Sequence, residues 1–460
     1  MCRLAPLVVH NFMKKAEQIS RKEVLKLISE SSIYGNLGLF IGAGMSMAVL
    51  NDEDEIALSW KKLIYKLADE FQIDLFEDIQ TEGLSYPEIA TELAKEISKK
   101  EKIDYTIAVN KIKSKIADLT SWYPEKEKRD VYGKLLLNMA PNWIITTNYD
   151  LIIECLLTGK SISLSPDDQL ISPKNLIPIY HLHGIRTNPN SIIISQEDYI
   201  SLFRPNQYRQ QKLSLSIKES TTLIIGYGLG DVNVLTAVDW VKNVYSNQKI
   251  NYPHDIIQLL YKERPEVNPY RDRNGIIIVE FNDLQQFLND VSESITVHQR
   301  IDEERCIHLK DINEYLENPD ENVVKSFIDD VEFRSDIIST LAKENVFLIT
   351  GFLELFSKAI DETWERSIPN GAFHAYNENL TILIEILINI DLEKIPPALF
   401  ESIVYNLDKL SFYIGTQLGE SRAAYYTWQK GKDKIPSNTY NELKNISTTR
   451  KYTRLKRLLR

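Results

Sequence analysis

The stretch Leu37–Ser46, with the sequence LGLFIGAGMS, changes abruptly from an apolar run to a run of small residues. This pattern predicts a short buried strand, followed by a loop in which Gly42, Ala43 and Gly44 let the backbone approach a ligand closely. Backbone N–H groups in this loop, and at the start of the helix that follows, could bind an anion such as a phosphate. Taken alone, a tight turn explains the glycines equally well, because the six-position dinucleotide fingerprint is absent.

Three later segments repeat the change from an apolar strand to polar or glycine residues. They are Trp143–Asp150 (WIITTNYD), Ile179–Gly184 (IYHLHG) and Leu223–Asp231 (LIIGYGLGD). Open α/β sheets bind ligands outside the carboxyl ends of their strands, so four such strand ends predict one shared cleft. Helix-length connections between the strands predict an α/β fold, a Rossmann-like parallel sheet with helices on both faces.

Hydrophobic periodicity places the remaining elements of this part of the chain. It predicts a helix over Ser20–Ser31 and a long helical stretch at about residues 51–135, which we interpret as an insertion covering the cleft. Trp60 in this insertion could close the cleft, but core packing is the interpretation we favour. The apolar runs predict strands beginning at Trp143, Ile179, Ile192, Leu223, Ile256 and Ile276.

These four motifs, in this order, resemble the sirtuin superfamily. GAGMS is similar to the family's first glycine loop, TTNYD to its Asn/Asp motif and HLHG to its catalytic His-Gly motif, and GYGLGD lies where the family has a second cofactor loop. The resemblance extends over roughly residues 30–285, and four ordered motifs are more specific than any single one. Two departures stand out: Thr147 replaces a Gln that is usual in deacylating sirtuins, and their Asp-Phe-Arg is absent after Ser46.

The resemblance implies two catalytic residues, Asn148 and His183. The amide of Asn148 can hold a ribose hydroxyl or an attacking water on the correct face of the sugar. The imidazole of His183 titrates near neutral pH and suits a general base. His181, two residues earlier, is expected to support the site or to pack. A strand-end Asn can also simply cap a turn, and a lone His is more often structural, but the motifs favour catalysis at both positions.

The resemblance also implies that NAD is bound, as the substrate, by residues of the four motifs. Ser46 is expected to cap a helix and to contact phosphate. Asp150 could orient Asn148 or the nicotinamide amide, or could equally cap a helix over Leu151–Leu157. Asp231 could accept from a ribose hydroxyl, or cap a helix beginning at Val232. The full set of expected NAD-binding residues is Gly42, Ala43, Gly44, Ser46, Thr147, Asp150, Gly226, Gly228 and Asp231.

The cysteine content argues against a zinc module. Deacylating sirtuins typically carry four Cys in paired CxxC spacing, whereas this chain has three, Cys2, Cys155 and Cys306. Three scattered cysteines cannot form a four-thiolate site, and they do not suggest disulfides. His181 and His183, facing the same way on a strand, could share a metal, but no third ligand is visible. We therefore expect no metal.

Length and composition indicate a globular protein with two domains, or with one domain that carries a large insertion and an appendage. The chain has 460 residues, 43% of them hydrophobic and 26% charged, with a net charge of -11, which argues against a broad nucleic-acid surface. The longest apolar stretch, residues 380–390, is too short to span a membrane, and no secretory signal is evident, so we expect a cytoplasmic protein. From about Cys306 helical patterns dominate, with breaks at Pro369-Asn370-Gly371 and Pro396-Pro397. We predict a catalytic domain over residues 1–300 and a helical assembly or partner-binding domain over 301–460.

Together these features suggest an NAD+ hydrolase that resembles bacterial antiviral defence effectors and depletes NAD. That resemblance further suggests a homo-oligomer and a HerA-like ATPase as partner. The alternatives are an NAD-dependent protein deacylase, a non-catalytic sensor that binds NAD or ADP-ribose, and an assembly subunit of an ATPase complex. The basic tail Arg450–Arg460 could contact an acidic partner or nucleic acid, or be a solvated helix end. Direct nucleic-acid binding is not expected.

Overall fold

The computed structural model describes residues 19–51, 56–75, 79, 81–166, 168, 173–202, 208–227, 254–343, 346–369, 371 and 373–460. These residues form two compact units, one ending at Arg300 and the other covering Ile301–Arg460. Gly228 and Asp231, both expected to bind the cofactor, lie outside the described residues. Among the helices that can be described, none combines the length and the apolarity needed to cross a bilayer.

The first unit contains an eight-stranded sheet. Its strands are β1 (Leu37–Ile41), β2 (Trp143–Thr146), β3 (Ser161–Leu164), β4 (Ile177–His181), β5 (Thr221–Ile225), β6 (Ile256–Tyr261), β7 (Tyr270–Arg271) and β8 (Ile277–Phe281). Their order across the sheet is β3-β4-β2-β1-β5-β6-β8-β7. Every neighbouring pair is parallel except β7 and β8. The predicted α/β fold with a parallel sheet is confirmed.

The helices of this unit connect and cover the strands. They are α1 (Arg21–Ile33), α2 (Ala43–Leu50), α3 (Trp60–Glu70), α4 (Tyr86–Glu101), α5 (Tyr105–Leu119), α6 (Lys126–Asn138), α7 (Ile152–Leu156), α8 (Gln196–Leu202), α9 (Tyr208–Lys218) and α10 (Leu284–Glu317), the last of which continues into the second unit. Helix α1 begins as its sequence predicts, because Ser20 and Glu23 form a reciprocal capping box.

Side chains of β1 alternate between two buried clusters, as expected for a strand covered on both faces. Leu39 and Ile41 pack with residues of α1, α2, α6, α7 and α10 on one face. Phe40 packs on the other face, in a cluster that includes Tyr180, Tyr227 and Ile217 of α9. The sheet is therefore the central layer of the unit, and loops follow the carboxyl ends of its strands.

Helices α3, α4 and α5 form a separate layer with its own apolar cluster. That cluster also includes Tyr149, Ile192 and Ile194, which follow β2 and β4. The layer thus packs over the loops at the carboxyl ends of these strands. Helix α6, although most of it lies within the range expected for the insertion, packs on the main sheet through Leu136 and its neighbours.

Two details of the strand prediction differ from the structure. No strand begins at Ile192; residues 192–194 are extended loop, buried beneath the helical layer, and their apolar side chains contact helices instead of a neighbouring strand. The strands β3 and β7 were not expected, because the polar alternation of Ser161–Leu164 and the two residues of β7 give little hydrophobic signal.

The second unit consists of helices around one apolar cluster. Besides the end of α10, these are α11 (Glu321–Asp329), α12 (Val331–Lys343), α13 (Val346–Arg366), α14 (Phe373–Asn389), α15 (Pro397–Leu410), α16 (Arg422–Gly431), α17 (Ser437–Thr449) and α18 (Thr453–Leu458). Pro397 occupies the first turn of α15, where its missing N–H costs no hydrogen bond.

Candidate functional site

The strand register brings the four motifs to one edge of the sheet. Ile41 at the end of β1 pairs with Thr146 of β2 and with Ile225 of β5. Thr146 pairs in turn with His181 at the end of β4. Chain order reverses at β1, which has β2 on one side and β5 on the other, and this is the position where open α/β sheets bind ligands.

The two glycine loops contact each other closely. A Cβ added to Gly44 would lie 2.6 Å from the Cα of Gly226, and one added to Gly42 would lie 2.6 Å from the ring of Tyr227. Gly226 also has a φ of +79°, in the left-handed region that favours glycine. The neighbouring loop thus accounts for the glycines at 42, 44 and 226.

Backbone hydrogen bonds hold these loops together. The N–H of Gly42 donates to the carbonyl of Ile225 at 2.8 Å, and the N–H of Gly44 donates to that of Gly226 at 3.1 Å. These two N–H groups are therefore already engaged. Donors for a phosphate at this turn would have to come from other groups at the start of α2, such as the N–H of Ala43.

Thr147 is joined to the second glycine loop by a side-chain contact. Its hydroxyl forms a short hydrogen bond with the Tyr227 hydroxyl, which also donates to the carbonyl of Ile41 at 3.4 Å. Both side chains are buried. The position where deacylating sirtuins usually have Gln is thus used here to tie β1, β2 and the loop after β5 together.

The Asn148 side chain belongs to a buried polar chain with Ser46 and Asp150. Nδ2 of Asn148 donates to Oγ of Ser46 at 3.1 Å, and that hydroxyl donates to Oδ2 of Asp150 at 3.0 Å. Because the single proton of Ser46 is used on the carboxylate, the group of Asn148 that faces Ser46 must be its NH2. The orientation of the amide is therefore fixed, and its carbonyl oxygen remains an acceptor.

This arrangement settles what Ser46 and Asp150 do locally. Ser46 lies inside α2, whose N-cap is Gly42, so the expected helix cap at Ser46 is wrong. Oδ1 of Asp150 accepts from the N–H of Ile152 at 3.0 Å, at the start of α7. Asp150 thus both supports the helix start and, through Ser46, orients Asn148. Burial raises the pKa of Asp150 to about 6, although the hydrogen bonds from Ile152 and Ser46 oppose this rise.

His181 lies beneath the same loop and is fully buried. Its Nδ1 is 3.1 Å from the carbonyl oxygen of Asn148, and its Nε2 is 2.6 Å from Oε1 of Glu154 on α7. Ser163 of β3 donates to the same carboxylate oxygen at 2.7 Å. Burial lowers the pKa of His181, but the Glu154 carboxylate and these hydrogen bonds outweigh it, so that the pKa is raised overall. The expected supporting role is consistent with these contacts.

His183 follows β4, which ends at His181, so the two imidazoles do not lie side by side on one strand. His183 is buried, and its Nδ1 lies 3.3 Å from the hydroxyl of Tyr199. The next residue, Gly184, has a φ of +90°, and a Cβ there would lie 2.2 Å from the carbonyl oxygen of Ser191. Only glycine fits this turn, which sets where the His183 backbone leaves the strand.

A cleft with a volume of about 680 Å³ opens beside the glycine loops. It is bounded by α2, by Tyr132 of α6, by the last residues of β6 and β8, and by the residues that follow β5 and β8. Gly44 and Tyr227 line it close to β1, where the chain order of the strands reverses. Tyr261 and Asp283 line it farther from β1. Neither Asn148 nor His183 is among the residues that line it.

Within the ranges listed for the fold, no group of three or more His, Cys, Asp or Glu side chains is arranged to hold a metal ion. Both ring nitrogens of His181 are engaged, one by the carbonyl of Asn148 and the other by Glu154, whereas Nδ1 of His183 faces Tyr199. Cys155 and Cys306 are free thiols, and burial raises the pKa of Cys155.

Three residues at the site were not anticipated as functional: Glu154, Tyr199 and Tyr227. Glu154 carried a signal, since an acidic residue in an otherwise apolar short helix suggests a buried partner. Tyr227 stood between two noted glycines. No local sequence pattern indicated a role for Tyr199, because its contact with His183 depends on how the loop between β4 and α8 folds back.

Comparisons with known proteins agree with this geometry. A family model described as a SIR2-like domain matches residues 142–278, which contain β2, β4, β5 and their loops. Defense-associated sirtuin 2 of Bacillus subtilis is 25% identical over 229 residues. The match covers 48% of this chain and 21% of that protein, so the chain spans only a small part of this relative. The chain therefore contains a SIR2-like domain, and its resemblance to the sirtuin-like family is confirmed.

Proposed function

We propose that this protein is an NAD+ hydrolase that releases nicotinamide and ADP-ribose, and that it acts in antiviral defence. The observation that carries the proposal is the oriented amide of Asn148 and the imidazole of His183 at the ends of neighbouring strands. The SIR2-like match supports NAD as the substrate. The name of the Bacillus relative supports the role in defence.

In the proposed reaction, the bond between nicotinamide and ribose C1′ breaks and water adds to C1′. Nicotinamide leaves with the bonding electron pair as a neutral molecule, and the water gives up one proton. Asn148 would hold the water or a ribose hydroxyl through its carbonyl oxygen, because Ser46 and Asp150 fix the amide. His183 would accept the proton, since a neutral imidazole is a suitable base near pH 7. The cleft beside Gly44 and Tyr227 would bind the rest of the dinucleotide.

The direct test is to incubate the purified full-length protein with NAD+ and to measure nicotinamide and ADP-ribose. We expect equal amounts of both products from the wild type and at least about a hundredfold less of each from Asn148→Ala. An acetyl-lysine peptide is included in a parallel reaction. Formation of O-acetyl-ADP-ribose, with nicotinamide release that depends on the peptide, would support the deacylase alternative. Tight NAD binding without cleavage in cell extract or in buffer would support the sensor alternative.

We further propose that the second unit drives self-assembly or binds a partner such as a HerA-like ATPase. The charge of this unit is strongly segregated along the sequence. Residues 301–420 contain 24 Asp or Glu and 9 Lys or Arg, whereas residues 421–460 contain 2 and 11. Most of the cations in the last segment are exposed on α16, α17 and α18. Such complementary charges favour head-to-tail contacts between copies.

A further inference from the structure

Tyr199 of α8 packs directly on the proposed base. Its hydroxyl lies 3.3 Å from Nδ1 of His183, and the two rings meet edge to face with centroids 5.2 Å apart. Tyr199 is 9% exposed and His183 is 1% exposed, so this contact is made away from bulk water. The ring and the hydroxyl together restrict both the position and the hydrogen bonding of the imidazole.

The contact has a consequence for the protonation of His183. If one ring nitrogen is to accept a proton from substrate or water, a neutral imidazole must carry its own proton on the other nitrogen. Because Nδ1 faces Tyr199, its N–H would donate to the tyrosine oxygen, leaving Nε2 as the basic nitrogen. We propose that Tyr199 is a positioning residue that holds His183 in this tautomer, and that the helical layer α3–α5 sets its position through α8. This inference rests on the proposed hydrolase function.

A partly buried ion pair attaches α8 to the helical layer. Nζ of Lys113 on α5 lies 2.9 Å from Oδ1 of Asp198, and the Lys113 side chain is only 8% exposed. The other oxygen of Asp198 accepts from the N–H groups of Ile194 and Ser195, each at 3.1 Å. Asp198 therefore joins the start of α8, the loop before it and α5 at one carboxylate. Tyr199 is the next residue in the chain.

Further contacts from all three helices of the layer reach α8. The N–H of Gln196 donates to Thr91 of α4 at 3.0 Å, and the hydroxyl of Tyr105 on α5 donates to Glu197 at 3.1 Å. Trp60 of α3 packs edge to face on Tyr199, with ring centroids 6.2 Å apart. A shift of the layer would therefore move the Tyr199 ring relative to His183. The layer is in this way coupled to the base.

Two substitutions separate the hydroxyl contact from the helix attachment. Tyr199→Phe keeps the ring packing and removes only the hydroxyl, and we expect kcat for NAD hydrolysis to fall at least about tenfold with KM changed by less than about twofold. Lys113→Met removes the ion pair but keeps most of the side-chain volume, and kcat should fall in the same direction. Because both changes act through Tyr199, the double variant should be no worse than about the more impaired single variant.

The matched control is Lys115→Met. Lys115 lies two residues from Lys113 on the same helix and pairs with Glu70 of α3 at 3.0 Å, but it is more exposed and makes no contact with α8 among those described above. We expect its kcat to equal that of the wild type. If Lys115→Met and Lys113→Met reduced kcat equally, the specific role of the Lys113–Asp198 pair would be disproved.

A readout independent of catalysis is the tautomer of His183, measured from its imidazole 15N chemical shifts, assigned with His183→Ala. We expect the Nδ1-protonated form in the wild type and a mixture of tautomers in Tyr199→Phe. An unchanged tautomer together with unchanged kcat in Tyr199→Phe would overturn the inference even if the wild type hydrolyses NAD. A wild type that keeps the expected tautomer but never cleaves NAD would instead count against the hydrolase proposal, while a wild type lacking that tautomer would count against the positioning role.

Discussion

His181 lies between the carboxylate of Glu154 and the backbone carbonyl of Asn148. When Glu154 is ionised, both of these groups can only accept hydrogen bonds. Nε2 of His181 is 2.6 Å from Oε1 of Glu154, and its Nδ1 is 3.1 Å from the carbonyl oxygen of Asn148. Both ring nitrogens must then carry protons, so the pair is an imidazolium and a carboxylate. The raised pKa of His181 and the lowered pKa of Glu154 agree with this. A charged imidazole thus holds the backbone of the residue proposed to act on the ribose.

Removing the charge of Glu154 should destabilise the fold in a defined pH range. The raised pKa of His181 means that its contribution is present below 6.5 and lost as pH rises through the higher value. The lowered pKa of Glu154 means that its contribution is present above 4.5 and lost as pH falls through the lower value. Glu154→Gln should therefore lower the free energy of unfolding most between pH 4.5 and pH 6.5, where both contributions are present, by about 3 kcal/mol. Melting temperatures measured across this pH range test the prediction. Glu127→Gln, at an exposed position, serves as the control. Equal effects of the two variants would contradict the prediction.

Asp150 should oppose folding stability as pH rises. Its pKa is raised from 3.8 to about 6 by burial, so the native state retains a proton that the unfolded chain has lost between these values. Stability is therefore lost over this interval, on the order of 3 kcal/mol by pH 7. Asp150→Asn has no carboxyl group to titrate at this position. The melting temperature of the variant, relative to that of the wild type, should therefore rise between pH 4 and pH 7. A constant difference between the two proteins across this range would show that Asp150 is ionised in both states.

The two proposed catalytic residues should act as a unit. Asn148→Ala and His183→Ala should each lower NAD cleavage by about a hundredfold or more, and the double variant should lose little beyond the single ones. Circular dichroism should show an unchanged fold. His374→Ala, at an exposed position of α14, is the control and should be fully active. Near wild-type turnover of His183→Ala under conditions in which the wild type is active would exclude this residue as the base.

A methyl group at Gly44 should separate the two glycine loops. Its Cβ would lie 2.6 Å from the backbone of Gly226, which cannot rotate away as a side chain can. We expect Gly44→Ala to abolish NAD hydrolysis and to destabilise the protein by about 1–3 kcal/mol. Gly351→Ala in α13, where the nearest atom is 3.8 Å away, should leave activity unchanged and stability equal or higher. Full activity of Gly44→Ala would mean that the close approach of the loops is not needed.

The proposed self-assembly should depend on salt. Contacts between the acidic residues 301–420 and the basic residues 421–460 would be screened at high ionic strength. Light scattering of the full-length protein should therefore show a larger species at about 0.05 M salt than at about 0.5 M salt. Reversal of charge at the exposed Lys456 and Arg457 should reduce the larger species, whereas reversal at exposed Lys61 of α3 should not. A monomer in all conditions would contradict the assembly proposal.

Local sequence was sufficient to predict six of the eight strands of the sheet. β1, β2, β4, β5, β6 and β8 are apolar runs that end in glycine or polar residues, and helices such as α1 and α3 have clear caps and periodicity. The order of the motifs also indicated the sirtuin-like family and the edge of the sheet where the site would form. These features depend on short-range patterns, which a sequence displays directly.

The contacts that define the site required the tertiary structure. Ser46 and Asp150 are 104 positions apart in the chain, yet the Ser46 hydroxyl donates to Asp150 and accepts from the amide of Asn148, which it orients. Lys113 and Asp198 are 85 positions apart, and their pairing carries α8 and Tyr199 to His183. Sequence alone could not predict these pairings, because the partner of a buried polar group depends on which loops the fold brings together. Burial then makes those partners obligatory, since an unpaired polar group inside a protein is costly.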